Sequence, residues 1–388
     1  MTLVILCVAA LACMLITTMI YRKFWGYGLS AEVRFAGEQI DEGQSVILQE
    51  KIENRKILPL PTLTVKFQLD RGLDYVNTEN TSKTDKQYRN DCISVMPYQR
   101  VTRSLEMVGV KRGFYSVDEI DLVAMDLFYR QTLTAHCDNR TWLYVYPAHS
   151  GFPGFPQVFN RMYGECLTNR LLQEDPFEFK GIRDYTVTDP MRKVNWKASA
   201  KTGSLKVNQF YDTSSQQLTI FLNVEQTGVL KYEDLIEESI RVARNFIEEF
   251  IRKGIPVTLI SNGVDKTSGQ EIYLREGAGL SHIDSCLKQL AKMEIHGNVR
   301  SMERLIREQM ERKRDSSEAV SLLISAEQSR ELARAYLEYA GEKGSANWLI
   351  PIHASTEKHL SKNFGEESVR GAYGNRIHME YLIMEQMV

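Results

Sequence analysis

The period of the apolar residues changes once along this chain, and that change constrains the fold more than any single motif. Between Ala31 and about Pro147 apolar residues recur at every second position in short runs. These are SVILQEKIEN (Ser45 to Asn54), TLTVKFQLD (Thr62 to Asp70), CISVMPYQRVTRSLEMV (Cys92 to Val108), FYSVDEIDLVAM (Phe114 to Met125) and TWLYVYP (Thr141 to Pro147). A period of two places alternate side chains on one face of a strand. β-Branched and aromatic residues fill the runs, and Gly43, Pro59, Pro61, Gly72, Gly109 and Gly113 punctuate them at turn positions. The expectation for residues 30–150 is an antiparallel β-sandwich of about immunoglobulin size.

After Asp212 the pattern is different. Tyr232, Leu235, Ile236, Ser239, Ile240, Val242, Ala243, Phe246, Ile247, Phe250 and Ile251 form a stripe spaced i, i+3, i+4, with Gly254 just past its end. Short apolar runs lie on either side: LTIFLNV (Leu218 to Val224), PVTLIS (Pro256 to Ser261), AVSLLIS (Ala319 to Ser325) and NWLIPIH (Asn347 to His353). Such strands alternating with amphipathic helices predict a mostly parallel, doubly wound sheet over 213–388. RIHMEYLIM (Arg376 to Met384) fits a final strand or a short helix. The fold class expected is therefore α/β plus all-β, and 388 residues are enough for two or three domains.

The first twenty residues fit neither pattern. Thr2 to Ile20 carries no charge, and as a helix it spans the roughly 30 Å hydrocarbon core of a bilayer. Arg22 and Lys23 follow it, with Tyr21, Phe24, Trp25 and Tyr27 as an expected interfacial aromatic belt. The expectation is a single-pass anchor over 1–29 with its N-terminus outside and the bulk cytoplasmic. The rival is a cleaved signal peptide, but no basic residue precedes the apolar run. The six cysteines are scattered, with no CxxC pair, which suits reduced thiols and excludes a sequence-evident zinc site. A formal net charge of −2 gives no whole-chain reason to expect nucleic acid or anionic lipid as a partner.

Between the two domains, residues 151–212 begin with GFPGFP and lead into a charged and aromatic stretch, Asp175 to Asp212. It holds Arg183, Asp184, Tyr185, Asp189, Arg192, Asn195, Trp196, Lys197 and Lys201. Arginine offers planar bidentate donors, aspartate can hold it in place, and Trp196 offers a face for stacking or cation–π contact. Two readings stay open. Either these residues form a recognition surface for an acidic or phosphorylated partner, or they form an internal salt-bridge clamp with Trp196 in the core.

The run F-x-G-I-R-D-Y-x-x-x-D-x-x-R-x-V-N-W-K-A-S-A-K-x-G-x-L-x-V, from Phe179 to Val207, resembles the signature of the domain-of-unknown-function 58 family. KRGFYSVDEIDLVAMDLF (Lys111 to Phe128) is similar to that family's Arg-Gly-x-Tyr run ending in Asp-Pro-Phe, with Leu127 where proline is usual. The resemblance covers nearly the whole layout, although many relatives carry two membrane helices and this chain shows one. It implies that the C-terminal domain is von Willebrand A-like. It also implies a MoxR-type AAA+ ATPase as partner, since such ATPases are commonly found with proteins of this class in bacterial operons.

Von Willebrand A domains hold Mg²⁺ or Mn²⁺ on an Asp-x-Ser-x-Ser loop after their first strand. Here that stretch reads Asn223-Val224-Glu225-Gln226-Thr227. Asn223 carries no charge, Glu225 is too long for a compact octahedral site, and one hydroxyl survives at Thr227. No metal or other cofactor is expected, and Mg²⁺ is disfavoured. The seven histidines stand at no recognisable catalytic spacing, and Gly277-Ala278-Gly279 lacks the lysine and remaining glycines of a P-loop. The expectation is a membrane-anchored interaction or adaptor protein without chemistry of its own. A divalent-metal-dependent receptor or enzyme using Asn223 to Thr227 is the alternative.

Overall fold

The computed structural model describes residues 1–77, 81–83, 87–89, 91–172, 174–187, 189–212, 217–226, 232–297, 299–312, 320–341, 345–354 and 377–384. The chain divides into two compact units, Met1–Ala148 and His149–Val388. The charged segment therefore groups with the second unit and is not a free-standing linker.

The first unit opens with α1 (Thr2–Phe24), a helix of 23 residues long and apolar enough to cross a membrane, with its most apolar window unburied. Twelve strands follow: β1 (Leu29–Phe35), β2 (Gln39–Asp41), β3 (Ser45–Asn54), β4 (Leu60–Lys66), β5 (Gln68–Leu69) and β6 (Leu73–Tyr75). Then come β7 (Thr81–Lys83), β8 (Gln87–Arg89), β9 (Asp91–Val95), β10 (Arg100–Gly109), β11 (Gly113–Met125) and β12 (Thr132–Tyr146). One sheet has the order β1-β3-β10-β6 and another β2-β12-β11-β4-β9, with a small third sheet β5-β8-β7. The two main sheets share one apolar core, built from the inward residues of each alternating run, such as Leu48 and Ile52 of β3 with Leu122 and Ala124 of β11. This is a β-sandwich. Its pairing is antiparallel except at one edge, where β2 runs parallel to β12.

Buried Asn139 joins the sheets: its Oδ1 accepts from the Val33 amide and its Nδ2 donates to the Val33 and Val117 carbonyls. The side chain thus satisfies the Val117 carbonyl at the break in the β11–β12 ladder and both backbone groups of Val33 in β1. The expected aromatic belt is split. Tyr21 and Trp25 are buried in the sandwich core, and the Tyr21 hydroxyl donates to the Pro59 carbonyl at 2.7 Å. Phe24 and Tyr27 remain exposed.

The second unit begins with α2 (Phe155–Leu172), then β13 (Glu174–Asp184), α3 (Trp196–Thr202) and β14 (Lys206–Asp212). β13 and β14 form a two-stranded antiparallel sheet with α3 in the connection between them. The rest is β15 (Leu218–Leu222), α4 (Glu233–Arg252), β16 (Val257–Asp265), β17 (Glu271–Gly277), α5 (Leu280–Lys292), β18 (Met293–Glu294) and α6 (Met302–Arg312). It ends in β19 (Val320–Ile324), α7 (Arg330–Ala340), β20 (Ala346–His353) and β21 (Ile377–Met384), so the last apolar run is a strand.

The sheet order is β17-β16-β15-β19-β20-β21, with the short β18 also on β16. β15, β16, β19, β20 and β21 are parallel, whereas β17 and β18 run antiparallel to β16. Helices α6 and α7 cover one face through Leu305, Ile306, Tyr336 and Leu337 against Phe221, Leu323 and Trp348. On the other side of the unit, Phe155 and Phe159 of α2 pack edge-on against Phe246 and Phe250 of α4. Every residue of β15 is buried, as a strand covered on both faces requires. The chain leaves β15 for β16 on one side and returns to β19 on the other, so a topological switch point lies between β15 and β19. In open α/β sheets the crevice beyond the carboxyl ends of strands at such a point is where ligands bind.

Candidate functional site

Two places in the second unit carry the residues singled out by the sequence: the switch-point loop and the hairpin β13–β14. In the loop, Asn223 is 3% exposed and all of its amide is engaged. Its Oδ1 accepts from the Glu225 amide at 2.9 Å and from Asn262 Nδ2 at 2.7 Å, while its Nδ2 donates to Ser325 Oγ at 2.9 Å. The Ser325 hydroxyl is committed in turn to the Glu327 carbonyl at 2.9 Å. Asn262 completes the set, accepting from the Val224 amide and donating to the Arg300 carbonyl. This is a neutral, mutually satisfied network tying the ends of β15, β16 and β19 together.

Glu225 points to the first turn of α6, where its Oε2 accepts from the Met302 amide at 3.2 Å. A carboxylate there meets an otherwise unpaired helix amide and the positive end of the macrodipole. Burial, aided by the nearby Glu327 and Glu303 charges, nevertheless holds its pKa above the ordinary carboxylate value. Thr227 lies outside the described residues. A hard cation needs several free oxygens converging on one point. Here Asn262 presents an amide donor towards Asn223, and the one nearby hydroxyl donates elsewhere. These residues do not fit Mg²⁺, and no cluster of three or more His, Cys, Asp or Glu stands elsewhere among the described residues.

The hairpin divides the other candidate residues into paired and exposed groups. Arg183 forms a bidentate pair with Asp189, Nη1 and Nη2 each lying 2.6 Å from a carboxylate oxygen. Asp189 also accepts from the amide and the hydroxyl of Thr186. Arg183 first, then these two donors, hold the Asp189 carboxyl well below the usual carboxylate range. Lys206 Nζ sits 2.5 Å from Asp184, and the Tyr185 amide donates to the Leu205 carbonyl. Asn195 caps α3 by accepting from the Ala198 amide and reaches Asn208 Oδ1 with its Nδ2. Ser199, buried under α3, receives the Lys206 amide on its Oγ. These residues are clamp and scaffold.

The remaining candidates face solvent. Trp196 is 61% exposed, which removes the expectation that it might be core, and Arg192, Lys197 and Lys201 are exposed with it. The same hairpin exposes Val187, Met191 and Leu205, which sequence reasoning passed over. Val187 and Met191 flank the clamped turn, and an apolar residue isolated in a charged run was the available signal.

No family model matches this chain. The protein resembles the uncharacterized protein YeaD of Bacillus subtilis (strain 168), with 22% identity over 233 residues. That match covers 60% of this chain and 54% of YeaD, so the chain spans about half the length of the curated relative it matches. Among solved structures, a non-cellulosomal cohesin from Archaeoglobus fulgidus aligns over 30% of this chain and 91% of its own, at 8% identity and a TM-score of 0.22. A type II cohesin domain from the cellulosome of Acetivibrio cellulolyticus aligns over 30% and 95%, at 9% identity and a TM-score of 0.22. Scores this low carry no functional argument.

Proposed function

We propose that this protein is a membrane-anchored adaptor without chemistry of its own, whose second unit is von Willebrand A-like and engages a MoxR-type AAA+ ATPase in bacterial envelope assembly or maturation. One observation carries the reading: Trp196 is held out to solvent at the start of α3, near exposed Arg192, Lys197 and Lys201 in sequence, on a hairpin where Arg183 is paired with Asp189 and Lys206 with Asp184. An exposed indole with cationic neighbours in sequence is costly to leave in water and is the kind of anchor that dominates interfaces. The hydrogen-bonded network at Asn223 supports the same reading, because the side chains described there are already engaged with one another. The MoxR-type partner and the von Willebrand A-like assignment rest on the signature resemblance, with the sheet order of the second unit as support for the latter.

The test is capture of the ATPase by the full chain in detergent or nanodiscs. Trp196→Ala and the pair Lys197→Ala, Lys201→Ala are expected to cut the captured amount about tenfold or more, as loss of an interface anchor does, with the melting temperature unchanged. Full capture by all these variants, or no capture by the parent, would overturn the proposal.

A further inference from the structure

The turns at the two ends of the β-sandwich differ in chemistry, and one end is joined to α1. Strand register fixes which turns lie together. Leu29 pairs with Asn54, Arg100 with Glu53, Leu60 with Val95, and Met125 with Thr62. The α1–β1 link and the turns β3–β4, β9–β10 and β11–β12 therefore share one end. Side chains knit them: Asn54 Nδ2 donates to the Leu58 and Met96 carbonyls at 3.0 Å, and the Tyr98 amide donates to the Lys56 carbonyl. The helix is tied in by Tyr21 to Pro59 and by Thr18 Oγ1 to Asp126 Oδ2 at 3.5 Å. Arg130 Nη1 lies 3.9 Å from Met14 Sδ.

The tips of these turns are apolar. Ile57, Met96, Tyr98, Leu127, Phe128 and Tyr129 are all exposed. At the opposite end the described turns carry Asp41, Glu42, Gln44, Asp70, Arg71 and Lys111, with Val110 as an exposed apolar residue among them. The backbone adds a second observation. Tyr98 and Tyr129, 72% and 61% exposed, have φ of 54° and 55°, and they are the non-glycine residues with positive φ among those described. A left-handed turn position is cheapest as Gly or Asn, and a bulky residue there stores backbone strain. Two aromatic side chains are thus kept at strained, solvent-facing tips on the same end of one domain.

We propose that this end of the sandwich is a bilayer seat: the three turn tips dip into the interface of an anionic membrane around α1. The inference rests on the reading that α1 crosses that membrane. Thr18 and Met14 lie roughly 6 and 12 Å along the helix before Arg22 at about 1.5 Å per residue. The β11–β12 turn that touches them therefore reaches the depth of interfacial apolar insertion, about 5–10 Å. The charges on this end include Arg22, Lys23, Arg55, buried Lys56, Arg100 and Arg130 against Glu53 and buried Asp126, a positive balance that suits anionic headgroups. The tyrosines place an apolar ring below and a hydroxyl at the polar boundary.

The experiment uses the full chain in nanodiscs of phosphatidylcholine and phosphatidylglycerol, with benzoylphenylalanine at Leu11, Tyr98, Phe128 or Val110 in turn. After irradiation, lipid adducts are counted by mass spectrometry. Lipid adducts are expected at Leu11, Tyr98 and Phe128, and at least about tenfold fewer at Val110 for a turn held away from the interface. Adducts at Leu11 without adducts at Tyr98 and Phe128 overturn the seat while leaving the anchor standing. Equal yields at Val110 and Phe128, or adducts from Phe128 to a second copy of the chain, also overturn it. No adduct at Leu11 sinks the anchor reading and the seat with it.

Discussion

Replacing Asn223 by Asp restores the charge that a metal-binding loop would want, and the structure says that the change is harmful. Asn223 Nδ2 now donates to Ser325 Oγ, whose own hydrogen is given to the Glu327 carbonyl. A carboxylate oxygen placed there faces an acceptor at 2.9 Å. Either the two oxygens repel, or Ser325 turns to the aspartate and the Glu327 carbonyl is left unpaired, at about 1–3 kcal/mol. The new charge sits where 3% of the residue is exposed, although the Glu225 amide and Asn262 Nδ2 still donate to it. The net cost is about 2–4 kcal/mol at neutral pH. For a unit of this length that lowers the melting temperature by roughly 5–15 °C.

The pH dependence has a definite sign. Burial raises the folded-state pKa of the new carboxyl above its unfolded value near 4, so the variant matches the parent in acid and weakens as pH rises through the folded-state value. Thermal melts of parent and Asn223→Asp from pH 4 to 8, with and without millimolar Mg²⁺, measure this. Equal melting at pH 7.5, or several degrees of Mg²⁺ stabilisation in either protein, would refute the view of the loop as a closed polar lock.

Three further outcomes follow from buried or exposed groups. Lys56 is 8% exposed, its Nζ has no hydrogen-bond partner, and burial lowers its pKa to about 8. Lys56→Met should therefore stabilise the sandwich by about 1–3 kcal/mol at pH 7. The parent should gain stability between pH 8 and 10.5 as the unfolded chain binds the extra proton, and the variant should not; equal urea midpoints at pH 7 would count against this. Burial pushes the Cys166 and Cys286 thiols up to about 12, so a thiol reagent at pH 8 should modify exposed Cys92 and spare both until urea is added. Phe128→Ser should leave the melting temperature of detergent-solubilised protein within about 1 °C, since the side chain is exposed.

The period of the apolar residues made the strands and helices legible, because both units bury whole faces and burial is what the period records. Two runs were exceptions: Thr62 to Asp70 divides between β4 and β5, and Cys92 to Val108 is two strands, parted where Tyr98 takes a left-handed turn after Pro97. Asn223 and Glu225 were visible as departures from a metal loop. Their partners were not, since Asn262 and Ser325 stand 39 and 102 residues away and only the sheet order brings them together. The aromatic belt was misread for a different reason. Tyr21 and Trp25 are four apart and share one face of the helix end, whereas Phe24 and Tyr27 lie off it. That spacing was the available sign that two rings dock on the sandwich while two stay out.

In the charged hairpin a clamp and a recognition face use the same residue types, and what the structure adds is which groups are already satisfied. Asp189 receives both Arg183 nitrogens and two donors from Thr186, all within 2.8 Å. Its depressed pKa means that the clamp is intact above the unfolded carboxylate value near 4 and is lost only as pH falls through the folded value below it. The Thr186 amide resonance should therefore stay fixed from pH 8 to about 4 and move below that. Arg183→Ala should shift that resonance at neutral pH, whereas Trp196→Ala should leave it in place. A Thr186 titration centred near 4 in the parent, or the same shift in both variants, would mean that clamp and outward face are one structure. Separate behaviour is what the geometry requires, since no hydrogen bond described for the clamp passes through the Trp196 side chain.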